Sequence, residues 1–498
     1  MEIILTNKIY ENDVYALVKA FYPGDNIKVS EMNHLQSDAI EEPMESGKGS
    51  EIDRIVINFQ EDSVRLQLFL QQGNHQVQSR DMNLDLLGKS RYKNSLKRFL
   101  YQVLSQVTHK ELPWGILTGI RPTKLVYEML EKSMEEEQIH AFMRDEYLCS
   151  EDKINLSLKI ARRELQLLEE MDYREGYSLY IGIPFCPSTC LYCSFTSYSA
   201  SKYANLIQTY LNALEKEIEF GAACFPGKKL TSVYFGGGTP TTLSASQLDR
   251  LLGLVREKFD FTQVREFCVE AGRPDSITRD KLLVLKKWGV TRISINPQSM
   301  QQRTLDLIGR KHTIEQVKEA VAMARETGHQ NINMDIIIGL PGEDLSDVER
   351  TLSEIEVLDP ESLTVHTLAL KRAARLNLEK EHYEEVMTAD VTGMLQATNR
   401  YAKEHQYLPY YLYRQKNMAD NLENIGYAKF GQEGIYNILI MEEKQTILAL
   451  GAGGMSKFVF PEENRIERVD NVKSVTDYIS RIDEMIQKKR AFLSRNQV

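Results

Sequence analysis

Three cysteines, Cys186, Cys190 and Cys193, fall within eight residues of one another in a C-x3-C-x2-C spacing. Three thiolates on one short loop can ligate three irons of a 4Fe–4S cluster, which ordinarily takes four cysteine ligands. The iron left open is then a position where a substrate or cofactor can bind. Zinc is the alternative metal, but structural zinc takes four ligands, usually from paired C-x2-C spacings, and the chain has no second pair. Cys149, Cys224 and Cys268 are scattered and read as packed thiols.

Further along, Gly236-Gly237-Gly238-Thr239-Pro240-Thr241 follows an apolar run. Glycines let a backbone approach a ligand closely and expose its N–H groups, although a plain structural turn uses them equally well. No Gly-Lys-Ser/Thr follows, so this is not a phosphate-binding loop. Glu270, Gln298, Arg310 and Asp335 stand at or just beyond the ends of later apolar runs, where ligand contacts and ordinary caps are both open readings. His312 is open in the same way. Lys371-Arg372-Ala373-Ala374-Arg375 forms a basic cluster, to which Arg414 and Lys416 add. Arginine forks pair well with carboxylates, and a solvated loop is the alternative. The tyrosines near Arg414 suit packing or stacking.

The elements that must position these groups have a clear rhythm. Apolar runs at Ser178–Ile183, Ser232–Phe235, Glu266–Glu270, Arg292–Ile295, Asn333–Ile338 and Ser362–Ala369 alternate with helical patterns at Tyr203–Phe220, Ala245–Phe259, Arg279–Trp288, Ile314–Thr327 and Leu345–Leu358. Continuous apolar strands separated by helices predict βα units on a parallel sheet. Six units make a partial βα barrel, whose chemistry sits at the C-terminal strand ends. The cysteine loop, the glycine turn and the polar residues all fall there. The predicted fold class is therefore α/β, a partial (βα)6 barrel over residues 173–375. It is preceded by an α+β domain (1–172) and followed by an α+β cap (376–498).

In the first region, Arg54 to Phe59 and Val64 to Phe69 alternate around Gln60-Glu61-Asp62-Ser63 and predict a hairpin with one solvated face. Glu31 to Glu51 reads as a mobile loop, Tyr92 to Val107 as a helix, and Leu112 to Lys124 as a turn-rich segment. In the last region, Gln445–Leu450 predicts a strand ending in Gly451-Ala452-Gly453-Gly454. The length of 498 residues suggests roughly two to four domains. Apolar content of 42% supports large cores. The net charge of −10 argues against a broad nucleic-acid surface. No apolar run is long enough to predict a membrane span, and Met1-Glu2-Ile3-Ile4-Leu5 reads as a strand rather than a signal peptide. A cytoplasmic protein is expected.

The cysteine spacing, with Tyr192 before the last cysteine, resembles the signature of the radical S-adenosylmethionine (SAM) enzymes. Over about residues 178–460 the chain is similar to the branch containing oxygen-independent coproporphyrinogen III oxidase, related heme chaperones and heme-degrading methyltransferases. The resemblance implies a 4Fe–4S cluster on Cys186, Cys190 and Cys193, with the fourth iron binding the amino and carboxylate groups of SAM. It implies that reduction yields a 5′-deoxyadenosyl radical. It also implies SAM contacts from Tyr180, Tyr192, Gly237, Gly238, Thr239, Glu270, Gln298, Arg310, Asp335 and Ala369. Carboxylates there can hold ribose hydroxyls and the arginine can pair with a carboxylate. The implied activity is oxidative decarboxylation of coproporphyrinogen III to protoporphyrinogen IX in porphyrin and heme biosynthesis. A tetrapyrrole is the implied substrate, with Lys371, Arg372, Arg375 and Arg414 facing its propionates. An electron donor such as flavodoxin or ferredoxin is the implied partner.

Three departures bear on this. Phe195 stands where the oxidase has a fourth, non-ligand cysteine. Gly182 stands where the family's Tyr-x-His-Ile-Pro-Phe-Cys has its histidine. The stretch from Gln415 to Tyr427 lacks the histidine and tryptophan of the chaperones' C-terminal motif. With its long N-terminal region, the chain looks most like a coproporphyrinogen oxidase-like subgroup of dehydrogenase type. A tetrapyrrole methyltransferase and a heme-binding chaperone are the alternatives.

Overall fold

The computed structural model describes residues 1–23, 25–31, 52–59, 63–70, 78–83, 89–119, 121–171, 173–193, 197–369, 376, 390–415 and 422–496. They form two compact units, one of Met1–Leu158 with Arg414–Leu422, the other of Lys159–Tyr413 with Glu423–Val498.

The first unit is built on β1 (Glu2–Leu5), β2 (Lys28–Glu31), β3 (Ile52–Phe59), β4 (Ser63–Leu70) and β5 (Gln78–Asn83), in the order β2-β1-β3-β4-β5. Strands β3 and β4 are the predicted hairpin, with Phe59 opposite Val64. Ile55, Ile57, Val64 and Leu66 bury against Val14, Leu17 and Phe21 of helix Glu11–Phe21 and against Leu96, Leu100 and Leu104 of helix Lys89–Thr108. Val56 is also buried, so the second face of β3 is less solvated than its alternation implies. The segment read as a mobile loop lies almost wholly outside the described residues.

The second unit carries β6 (Gly176–Ile183), a short pair β7 (Phe185–Cys186) and β8 (Tyr198–Ser199), β9 (Lys229–Gly237), β10 (Glu266–Glu270), β11 (Arg292–Ser294), β12 (Ile332–Ile338), β13 (Ser362–Thr367), β14 (Leu408–Tyr413), β15 (Asn424–Ala428), β16 (Thr446–Leu450), β17 (Met455–Phe460) and β18 (Arg465–Asp470). Eleven of these form one sheet in the order β14-β15-β13-β12-β11-β10-β9-β6-β16-β17-β18. The six predicted strands, β6 and β9 to β13, lie parallel and in sequence order. Their crossover helices start where side chains satisfy the first backbone amides. Ser244 with Gln247 and Thr313 with Gln316 make capping boxes.

The C-terminal residues do not make a sheet of their own. β16 adds a seventh parallel strand beside β6, with Leu448 opposite Leu179. β15 and β14 extend the other edge antiparallel. β16 pairs with Tyr177–Ile181 from the far end of the chain and β15 with β13 across the intervening helix Val391–Glu404, so local pattern reads them as a separate cap. The sheet is parallel-rich, and among the described residues its strands do not close into a barrel.

Register sets the rows that matter. Tyr180, Tyr234, Cys268 and Arg292 are successive partners across β6, β9, β10 and β11. Two residues on, Gly182 pairs Gly236 and Glu270 pairs Ser294. Side chains alternate across a strand, so these rows share the face opposite fully buried Phe235, Val269 and Ile293.

Candidate active site at the strand ends

The cysteine loop leaves β6 and is fastened from several directions. Leu191, between the second and third cysteines, sits in a small apolar cluster with Leu305, Ile308 and Leu340. Its amide donates to Ile308 O at 2.9 Å and its carbonyl accepts from Leu376 N at 3.0 Å. Thr239 Oγ1 donates to Cys186 Sγ at 3.5 Å. Arg273 Nη1 donates to Cys190 Sγ at 3.7 Å and to Ser188 Oγ at 3.1 Å. Arg310 also contacts Cys190 and Tyr192.

Burial pushes the Cys186 thiol up to about 11, with the Thr239 hydroxyl and the Arg273 cation pulling the other way. None of the six cysteines is in a disulfide. Among the described residues no three His, Cys, Asp or Glu side chains converge as ligands of a single ion. The three thiols lie along one short loop.

The glycine turn braces this loop. Gly238 N donates to Ile183 O at 2.8 Å and Thr239 N to Phe185 O at 2.7 Å, and Gly237 N–H meets the Glu270 carboxylate. These three amides are therefore engaged within the protein. A Cβ on Gly238 would meet Phe185 O at 2.6 Å, and Gly237 holds φ +105°. Both glycines are required by close approach and conformation.

The polar residues at the strand ends come together around this turn. Tyr234 Oη donates to Glu270 Oε1 at 2.5 Å. Its ring stacks on Tyr436 at 4.4 Å and on Tyr180 at 6.2 Å between centroids. Burial pushes Glu270 up to about 7, helped by Asp335 and opposed by the Tyr234 and Gly237 hydrogen bonds. Burial alone would raise Asp335 as well. His366, Asn333 and Thr364 outweigh it and hold that carboxyl below its ordinary value.

Gln298 holds a left-handed φ of 69°, a strain of about 1–3 kcal/mol for a non-glycine residue. It is kept there by bonds from its amide to Asp335 O and from Ile337 N to its carbonyl, both 2.9 Å. Arg310 Nη1 donates to the Asn296 carbonyl. Ala369 follows β13, where Leu368 N bonds to Ile338 O at 3.0 Å. His312 is fully buried. Burial, then the Arg310 and Arg273 cations, lowers it to about 3, and both of its ring nitrogens are buried without a hydrogen-bond partner.

Ser294 Oγ, Asn296 Oδ1, Gln298 Oε1 and Arg310 Nε are buried without a hydrogen-bond partner. Buried polar atoms ordinarily have partners. Three such atoms at and just beyond the end of β11, with Arg310 Nε after the helix Gln302–Leu307, beside three thiols and two guanidiniums, fit an anionic sulfur-ligated cluster and a polar ligand beside it. Arg273, Asn296, Tyr234 and His366 were missed in the sequence, though Arg273 and Asn296 carry the same signal of polar residues just beyond apolar runs.

Arg414 belongs to the first unit. Its Nη1 donates to Leu117 O at 2.6 Å and its guanidinium lies 6.0 Å from the Trp114 ring centroid. Only 3% of it is exposed, which corrects its expected place facing substrate. Lys371, Arg372 and Arg375 lie outside the described residues. No helix among the described residues is long and apolar enough to cross a membrane.

Residues 180–355 match the model of the radical SAM superfamily. Over 408 residues, 81% of each chain, the protein is 44% identical to the oxygen-independent coproporphyrinogen-III oxidase-like protein HemZ of Bacillus subtilis. It is 32% identical over 286 residues to the heme chaperone HemW of the same organism, covering 55% of this chain and 69% of that one. The solved coproporphyrinogen III oxidase HemN of Escherichia coli superposes with a TM-score of 0.52 at 24% identity, over 65% of this chain and 73% of that one. The chain belongs to the radical SAM family and, within it, to the branch of the coproporphyrinogen III oxidase-like proteins. Proteins of this family use a 4Fe–4S cluster and SAM.

Proposed function

We propose that the protein is an oxidoreductase that carries out oxygen-independent, SAM-dependent oxidative decarboxylation of coproporphyrinogen III propionates, giving protoporphyrinogen IX in porphyrin and heme biosynthesis. The observation that carries this reading is the 44% identity to the oxidase-like HemZ over 81% of both chains. Cys186, Cys190 and Cys193 would hold the cluster. Tyr180, Tyr192, Gly237, Gly238, Thr239, Glu270, Gln298, Arg310, Asp335 and Ala369 would surround SAM. When bound, the pair supplies reductive cleavage of a carbon–sulfur bond and a hydrogen-abstracting radical.

The chain's own residues position and shield. The Arg273 and Arg310 guanidiniums offset thiolate charge next to Cys190. The Asp335 carboxylate, held ionised, accepts hydroxyl hydrogens, and the Arg310 fork suits a carboxylate. The Lys371, Arg372 and Arg375 cluster suits propionates by charge. A cytoplasmic location and a flavodoxin or ferredoxin donor accompany this reading.

The test is an anaerobic assay of reconstituted protein with coproporphyrinogen III, SAM and a strong reductant. Release of CO2 and of 5′-deoxyadenosine is expected, and both should vanish when Cys186, Cys190 and Cys193 are changed to Ala. A second reading, a heme chaperone, is favoured by the 32% identity to HemW. Stable heme transfer to an acceptor protein without decarboxylation would establish it instead.

A further inference from the structure

Nothing in the sequence pattern singles out His366, yet it stands beside the carboxylate proposed to face SAM. Asp335 pairs with Thr364 across β12 and β13, and His366 lies two residues further along the same face of β13. Its Nε2 is 3.7 Å from Asp335 Oδ2, and its Nδ1 is 3.2 Å from the Tyr413 hydroxyl. Asp335 Oδ1 separately accepts from Asn333 Nδ2 at 2.7 Å.

Tyr413 reaches this imidazole from β14, although β15 lies between β14 and β13. In the row between them Tyr413 is opposite Asn424, whose side chain is turned onto backbone, accepting from Thr367 N and donating to Tyr413 O. In the next row Thr364 opposite Gly426 opposite Tyr411 has no side chain at its middle. A Cβ on Gly426 would meet the Tyr411 ring at 1.8 Å. Tyr411 and Tyr413 then stack nearly parallel, 7° apart at 6.2 Å, which fixes the hydroxyl that meets His366.

We infer that His366 is a positioning residue for the cofactor, orienting the Asp335 carboxylate toward the ribose diol of SAM. The inference rests on the reading of Asp335 as a SAM contact. The imidazole tautomer with hydrogen on Nε2 satisfies both neighbours, donating toward Asp335 and accepting from Tyr413. Asn333 then engages one carboxylate oxygen and His366 the other. With Thr364 as a third neighbour, the carboxylate can no longer rotate freely, and acceptor capacity remains for a ligand hydroxyl. A carboxylate held in this way presents a fixed acceptor to a ribose hydroxyl. The side chains of His366 and Asp335 are 26% and 21% exposed, so the pair is open to a ligand rather than sealed in the core.

The test compares His366→Gln, His366→Phe and Asp335→Ala with the wild type. Each is reconstituted anaerobically, assayed for iron, and titrated with SAM by equilibrium dialysis. Glutamine carries a donor and an acceptor in place of the two ring nitrogens, whereas phenylalanine keeps the bulk alone. His366→Phe should keep full iron and weaken SAM binding by about tenfold or more. His366→Gln should stay within about threefold of the wild type. Wild-type SAM affinity in His366→Phe, with Asp335→Ala impaired, would overturn the inference and leave the Asp335 reading intact. Equal weakening by Gln and Phe would overturn it too, because bulk or charge would then matter instead of the contacts to Asp335 and Tyr413. If Asp335→Ala binds SAM normally, the reading of Asp335 falls and the inference falls with it.

Discussion

The Arg273 guanidinium donates to the sulfur of Cys190 across 3.7 Å while its other edge forks onto Asp275, with Nε to Oδ1 at 3.0 Å and Nη2 to Oδ2 at 2.9 Å. The Asp275 fork and the bonds to Ser188 hold the cation still, so its charge and its hydrogen bond both reach the thiolate. Arg273→Ala should therefore cut iron incorporation to less than about half that of the wild type. Arg273→Lys should fall between, because it keeps the charge and loses the fork. Iron content and visible absorbance after anaerobic reconstitution measure this. Full incorporation in the alanine variant would show that Arg273 does not support the cluster.

Gly238 tests whether the glycine turn and the cysteine loop are one object. A methyl group there would meet Phe185 O at 2.6 Å, Ile183 O at 2.9 Å and Phe185 N at 2.9 Å, all backbone atoms. No side chain can swing aside, so the loop itself must move. Gly238→Ala is expected to cost about 1–3 kcal/mol of stability and to reduce cluster loading. Chemical unfolding and iron analysis of the same preparation report the two effects. Loading and stability both equal to the wild type would mean that the loop yields at no cost.

Much of this site is legible in the sequence because it is local. Three cysteines share one loop, and Glu270 and Gln298 close or follow an apolar run whose period announces a buried strand, while Asp335 lies inside such a run and Arg310 follows the helix Gln302–Leu307. The rest depends on contacts that no local period encodes. β16 pairs with β6 from the far end of the chain. His366 is an inward residue of β13 whose partners lie on β12 and on β14. Gly238 resembles a ligand-facing glycine in sequence, but its amide goes to Ile183 O. Arg414 resembles a propionate ligand, but it caps the Leu117 carbonyl in the first unit. Composition reveals the charge of such side chains and leaves their partners unspecified.

A buried ion pair holds the turn after β16. Lys489 Nζ meets Glu217 Oε1 at 2.8 Å with both side chains fully buried. Glu217 also accepts from Gly451 N at 2.7 Å, Tyr478 Oη at 2.6 Å and Asn471 Nδ2 at 2.8 Å. Removing the cation leaves a buried carboxylate without its counter-ion, so Lys489→Met should destabilise the protein by about 3–5 kcal/mol. Adding Glu217→Gln should recover part of that loss, since it removes the uncompensated charge. Urea unfolding of both variants decides the matter. A Lys489→Met variant within about 1 kcal/mol of the wild type would refute a structural role for the pair.

Glu270 should make the cofactor-free protein sensitive to pH. Its folded value of about 7 lies above the ordinary 4.5, first because it is buried and then because Asp335 is near. The native state thus keeps a proton that the unfolded chain has already released. Stability from this group is complete below about pH 4.5 and is lost as the pH rises through 7. Glu270→Gln carries no charge at any pH and can still accept from the Tyr234 hydroxyl. The variant should match the wild type near about pH 4 and exceed it near about pH 8 by on the order of 1–3 kcal/mol. Asp335, held below its ordinary value, acts with the opposite sign in the acid range, but it is common to both proteins and largely cancels in the difference. Urea unfolding of the two cofactor-free proteins at each pH measures that difference. A gap that fails to widen between the two pH values would show that Glu270 is ionised without cost in the native state. The carboxyl would then already be solvated as well as in the unfolded chain, and the enclosed strand-end site described here would be open to water at that point.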